Sequence, residues 1–148
     1  MLFPPILILM DSPYANVRAR ATIILSQVLA RIDSSTLART GLAEVIWTAL
    51  IPNLSSLPPV TDMEDSLPLL RATYGALVVL ARLWHPSVPN RMTFLDRVVR
   101  DGFLQGMLFA GHKIKVVQVQ LESLGLLVRE MGIYFVKHFK VSSLREYV

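Results

Sequence analysis

The residues able to do chemistry are few and scattered. The three histidines, His85, His112 and His138, never form an H-x-x-x-H pair. Two imidazoles therefore do not share a helix face at metal-ligand spacing. Cysteine is absent, which excludes disulfides, thiolate metal sites and cysteine nucleophiles. The glycines are isolated, with no Gly-Lys-Ser/Thr loop to cradle phosphate and no G-x-S-x-G nucleophile turn. Carboxylates could pair only at Glu122 and Glu130 or among Asp62, Glu64 and Asp65. The second group stands beside a helix start, where the macrodipole favours negative charge. It supplies too few preorganised oxygens for a divalent cation. The expectation is that the chain has no catalytic, cofactor-binding or metal-ligating residue and is not an enzyme.

Charge separates the chain into unlike halves. Residues 1–74 carry five arginines and six acids (5 − 6 = −1), and residues 75–148 ten lysines and arginines and five acids (10 − 5 = +5). The basic half suits an acidic partner. Its cations are dispersed among acids, without the stripe that tracks a phosphate backbone, so no nucleic-acid partner is expected. Trp47 and Trp84 could stack bases, but both lie in strongly apolar segments and read as core. Met92, Met107 and Met131 read the same way.

Something must still hold these residues in place. Hydrophobic residues make up 53% and charged residues 18% of the chain, against about 45–50% and 25% in ordinary soluble chains. Intrinsic disorder is excluded, and a partner or further chain is implied to cover apolar surface. The opening MLFPPILILM lacks a basic flank and is too short to span a bilayer. It reads as a buried helix, and no membrane partner is expected.

Helical periodicity runs through the rest. The stripe Val17, Ala21, Ile24, Leu25, Val28, Leu29 and Ile32 marks one amphipathic helix. Leu67–Trp84 is apolar nearly all round and should be buried on most sides. In 114–131 the stripe is Ile114, Val117, Leu121, Leu124, Val128 and Met131, with Leu121 and Leu124 expected between neighbouring units. Pro52 should kink its helix, and Pro68 fits a first turn if Asp65 or Ser66 caps it. Gly41 should supply a positive-φ turn, with Thr40 capping the next helix. Gly102 in mid-helix costs about 1 kcal/mol against Ala, which predicts close packing or a break near 101–102.

The helices fall into pairs: about 3–10 with 14–32, 42–57 with 66–84, and 91–109 with 112–131, and then a last helix from about 133. The segment D-S-P-Y-A-N-V-R-A-R-A at 11–21 resembles the opening of a HEAT second helix. The predicted fold is all-α, a short α-solenoid of about three HEAT-like helix pairs plus a C-terminal helix. It forms one domain with units at about 3–32, 42–84 and 91–131 and a partial unit at 133–148, and is expected to be a fragment of a longer protein.

Several stretches are more specific. L-A-R-T-G-L-A-E-V-I-W-T-A-L-I-P-N-L-S-S-L-P-P at 37–59 is followed by E-D-S-L-P-L-L-R-A-T-Y-G-A-L-V-V-L-A-R at 64–82, V-V-R-D-G-F-L-Q-G at 98–106 and M-G-I-Y-F-V-K-H-F-K at 131–140. In this order they resemble the Tel-two-interacting protein two family, the smallest subunit of the TTT co-chaperone complex, over its C-terminal half. The resemblance implies a non-enzymatic scaffold subunit without cofactors, bound to the larger HEAT-repeat subunits of that complex. Together with the heat-shock-ninety chaperone, the complex stabilises and matures phosphatidylinositol-kinase-related kinases of DNA-damage and nutrient signalling. A cytoplasmic and nuclear location is expected with it. Arg39, Thr40, Gly41, Leu42, Asp101, Gly102 and Gly132 are the motif residues with structural roles. Phe135, Lys137, His138, Phe139 and Lys140 form the expected partner-binding edge. The competing readings are a HEAT-repeat adaptor of another pathway and a nucleic-acid-binding HEAT-like solenoid.

Overall fold

The computed structural model describes residues 3–55, 63–110 and 113–132. Its elements are α1 (Phe3–Met10), α2 (Ala15–Leu29), α3 (Ser34–Thr40), α4 (Leu42–Leu50), α5 (Met63–Trp84), α6 (Val88–Val98), α7 (Gln105–Ala110) and α8 (Ile114–Met131). A 3₁₀ turn, Ile51–Ser55, follows α4, and a π-helical stretch, Val99–Leu104, joins α6 to α7. The fold is all-α, with no strand among the described residues.

The most apolar segment is also the most enclosed. Along α5, Leu69, Leu70, Tyr74, Leu77 and Leu80 are fully buried. The helix packs against α2 on one side and α8 on the other, with α3, α4 and α6 also in contact. Glu64–Trp84 has the length and hydropathy of a membrane span; its burial against these neighbours accounts for that composition. Leu25 and Leu29 of α2, Ile46 and Leu50 of α4, Leu95 and Val98 of α6, and Leu127 of α8 join Leu70, Tyr74, Leu77 and Leu80 in the main core, while Leu69 clusters with Ala15 and Ala19 of α2.

Helix ends follow the local chemistry. Asp33 caps α3 by accepting from the Thr36 amide at 3.3 Å, with the Thr36 and Ser35 hydroxyls donating to the same carboxylate. These bonds hold the Asp33 carboxyl below its ordinary range. Gly41 ends α3 at φ 67° and ψ 12°, a left-handed conformation that glycine adopts without steric cost. The Thr40 hydroxyl donates back to the carbonyls of Thr36 and Leu37. It does not cap α4, whose first residue follows Gly41 directly, with no side-chain cap bond there.

Other expectations also need correction. Helix α5 begins at Met63, so Pro68 is its sixth residue and lies inside it. Pro68 and Glu64, whose carbonyl loses its helical donor, are exposed, so water can replace the missing bond. Glu64 and Asp65 occupy the first turn, where negative charge is favoured. Pro52 does not kink α4; that helix ends at Leu50 and tightens into the 3₁₀ turn. Ile24 is exposed, because α2 turns Ala21, Thr22, Leu25 and Leu29 inward. Helix α1 buries Ile6 and Met10 and leaves Ile8 73% exposed, so it is covered along one face only.

The largest correction concerns α8. Leu121 is 53% exposed and Leu124 half-buried, whereas Val116, Val119, Gln120, Ser123, Leu127 and Met131 face the core. The helix carries two stripes at helical spacing. The inward one contains two polar residues that conceal it from hydropathy, and Gln120 is accepted there because Tyr74 meets it.

Candidate interaction surfaces

The R-T-G-L element lies at the α3–α4 turn, with Arg39 exposed in the last turn of α3 and Leu42 half-buried at the start of α4. Gly41 also borders a groove of about 840 Å³ between α1 and α4. Its walls include Leu7, Ile8, Val45 and Pro52, and its polar residues include Arg18, Asn53, Asp11 and Glu44. Arg18 Nη1 donates to Asn53 Oδ1 at 3.3 Å. Asn53 is almost wholly buried, and its Nδ2, like Arg18 Nε, has no hydrogen-bond partner. Two acids beside one cation give the groove no strong preference for an anion.

A second surface is aromatic. Phe94 of α6 lies 4.8 Å from the Trp47 ring, 5.7 Å from Trp84 and 5.3 Å from His85. His85 stacks on Trp84 at 4.9 Å, and Arg97 lies 5.2 Å from the centre of the Trp47 ring. Edge and stacked contacts of this kind add modestly to burial. Both tryptophans are half-buried, so they seal the core and also show one side to solvent. Partial burial holds the His85 imidazole below its ordinary value.

The V-V-R-D-G-F element lies in the junction between α6 and α7. Asp101 pairs with Arg97 at 3.5 Å and Asp96 with Arg100 at 3.3 Å. Gly102 is buried against α5: a Cβ there would stand 2.7 Å from the Tyr74 hydroxyl and 3.2 Å from a Leu54 methyl. Gly106, one turn on, lies so close to the Gln120 amide that a Cβ would collide with it. Tyr74 donates to Gln120 Oε1 at 2.8 Å. Burial pushes the Tyr74 phenol well above its usual range, which keeps it a neutral donor. The four residues form a polar contact inside an apolar core. Sequence reasoning missed Tyr74, Gly106 and Gln120; its one signal was the cost of glycine at 102.

Helix α8 is tied to α5 by Arg71–Glu122 at 3.2 Å and by the two-pronged pair Arg82–Glu130. Its other side carries Ile114, Val117, Leu121, Leu124 and Val128, from half-buried to 76% exposed. Gly132 ends the helix at φ 56° and ψ −129°. The expected partner-binding residues Phe135, Lys137, His138, Phe139 and Lys140 lie outside the described residues. No cluster of three metal-ligating side chains occurs among the described residues.

The glycine-containing elements thus fall at structural joints: a left-handed turn, a close helix approach and a helix stop. A family model, described as the Tti2 family, matches residues 1–143. The chain belongs to the Tti2 family. The match covers every element described above and extends beyond α8. No curated protein and no solved structure matches this Tti2-family chain at a significant level.

Proposed function

We propose that the chain is a non-enzymatic scaffold subunit of the TTT co-chaperone complex. In that complex it contacts the larger HEAT-repeat subunits and so serves, with the heat-shock-ninety chaperone, the maturation of phosphatidylinositol-kinase-related kinases in cytoplasm and nucleus. The observation that carries this reading is family membership over residues 1–143. The helix contacts support the finer architectural part, a short α-solenoid. The pairs would be α1 with α2, α4 with α5, and the α6–α7 helix with α8, and α5 lies between α2 and α8. Such units bury their faces against neighbours and leave apolar surface at the ends. Exposed Ile8, Val45, Leu121 and Ile114 fit that pattern.

The test is affinity capture of the full-length protein from cells, with bound proteins identified by mass spectrometry. The two larger subunits of the complex should be recovered, and Lys137→Glu with Lys140→Glu should weaken their recovery. Recovery of an unrelated assembly without those subunits would replace this reading with an adaptor of another pathway. Sequence-selective DNA binding that survives physiological salt would replace it with a nucleic-acid-binding solenoid, because phosphate contacts alone lose affinity steeply as salt rises.

A further inference from the structure

The groove between α1 and α4 contains two hydrogen-bond donors with nothing to donate to. Arg18 on α2 gives one N–H, from Nη1, to Oδ1 of Asn53 in the 3₁₀ turn after α4, at 3.3 Å. That bond fixes the Asn53 amide, since a flipped amide would set donor against donor. Asn53 Nδ2 and Arg18 Nε are then both donors, both buried and both without a partner. Asn53 as a whole is 1% exposed. Buried polar groups are nearly always hydrogen-bonded, and an exception calls for a reason. Both residues line the groove, so a bound group carrying acceptor oxygens would supply the missing partners.

The walls restrict what that group belongs to. Ile8 is 73% and Val45 49% exposed, so the groove is an open trough of about 840 Å³. A small ligand usually loses about 70–90% of its surface to a closed cleft. An extended peptide needs cover on one side only and presents carbonyl oxygens at regular intervals. Leu7, Ile8, Val45 and Pro52 offer its side chains apolar contact. Asp11 and Glu44 set two acids against the one arginine, which favours a basic side chain beside the apolar ones and disfavours a carboxylate.

We infer that this groove binds a short peptide segment of a partner protein, apolar with one lysine or arginine, whose main-chain carbonyls accept from Arg18 Nε and Asn53 Nδ2. Interface side chains commonly change rotamer on binding, and a small turn of the Arg18–Asn53 pair presents both donors to the groove. The apolar side chains lie on Ile8 and Val45, and the cation reaches Glu44 or Asp11. The inference goes beyond membership of the TTT complex, since it is read with purified protein and synthetic peptides alone.

The full-length protein is used to select from a random peptide library displayed on phage. The enriched peptides are synthesised with both ends blocked and titrated by fluorescence anisotropy. They should share apolar residues with a lysine or arginine among them. Ile8→Asp and Val45→Asp, at exposed wall positions that folding can spare, should each weaken binding about tenfold or more. Ile23→Asp, at an exposed apolar position outside the groove, should leave it unchanged. Glu44→Lys should turn the selection from basic toward acidic peptides. Arg18→Lys keeps the charge but lacks the guanidinium fork and should weaken binding about tenfold, with its melting temperature measured alongside. Acidic peptides selected by the native protein would make the groove an anion site and overturn the inference. So would no enrichment, or binding that the Ile8, Val45 and Arg18 variants leave intact. Dimerisation that Val45→Asp abolishes would assign the groove to a second copy of the chain and overturn it as well.

Discussion

The Tyr74 hydroxyl on α5 donates a 2.8 Å hydrogen bond to Oε1 of Gln120 on α8, and both side chains are buried. A buried amide without a partner is costly, so this bond is what admits a glutamine to the core side of α8. Tyr74→Phe removes the donor and leaves Oε1 unpaired. It should destabilise the fold by about 1–3 kcal/mol, the cost of an orphaned buried polar group. Urea denaturation at neutral pH measures it, and a loss near zero would mean that water reaches Gln120.

Glycine substitutions should divide by sign. Gly102→Ala drives a Cβ to 2.7 Å from the Tyr74 hydroxyl and should destabilise by about 1–3 kcal/mol, as overpacking does. The cost should shrink in a Tyr74→Phe background, where the nearest atom is gone, and a double-mutant cycle reads that coupling. Gly75→Ala, in the same long helix, meets nothing within 4 Å and should stabilise by about 0.5–1 kcal/mol.

The inward stripe of α8 makes a third expectation. Leu127 is fully buried, and Leu127→Ala should cost about 2–5 kcal/mol, as for other buried leucines. Thermal or urea unfolding checks it. A loss under about 0.5 kcal/mol would contradict the packing of α8 on α5.

Acid should weaken the α5–α8 junction. The Arg82 guanidinium, which donates two hydrogen bonds to Glu130, holds that carboxyl below its ordinary value of 4.5. A depressed folded-state pKa contributes stability above the unfolded value and loses it as pH falls through the folded one. The stability difference between the native protein and Glu130→Gln should therefore be present at pH 7, begin to fade below about 4.5 and vanish further into acid. Solvent screens the pair, so the difference should not exceed about 1 kcal/mol. A constant difference down to pH 3 would mean that Glu130 acts by packing and not by charge.

The sequence made the all-α class legible because Leu67–Trp84 and 114–131 are long and strongly periodic. It was misleading where two physical signals competed. Gln120 and Ser123 made the buried stripe of α8 look polar, and the cleaner row through Leu121 drew the assignment. Helix α3 escaped notice because its seven residues are too few to show a period; only the Asp33-to-Thr36 spacing announces its start. Gly102 was readable as an expense, but the expense could not name Tyr74 as its reason, since that contact spans two helices far apart in sequence.

The π-helical turn at Val99–Leu104 acts as a phase shifter. Such a bulge inserts a residue without ending the helix, and one residue rotates everything downstream by about 100°. The side of α7 that meets α8, Gly106 included, is therefore set by a count of residues as much as by their identity. Deleting one residue between 99 and 104 would leave helix content almost unchanged while turning a different row of α7 toward Gln120. For this segment, a shift in residue number does more harm than most substitutions, and it leaves circular dichroism nearly silent.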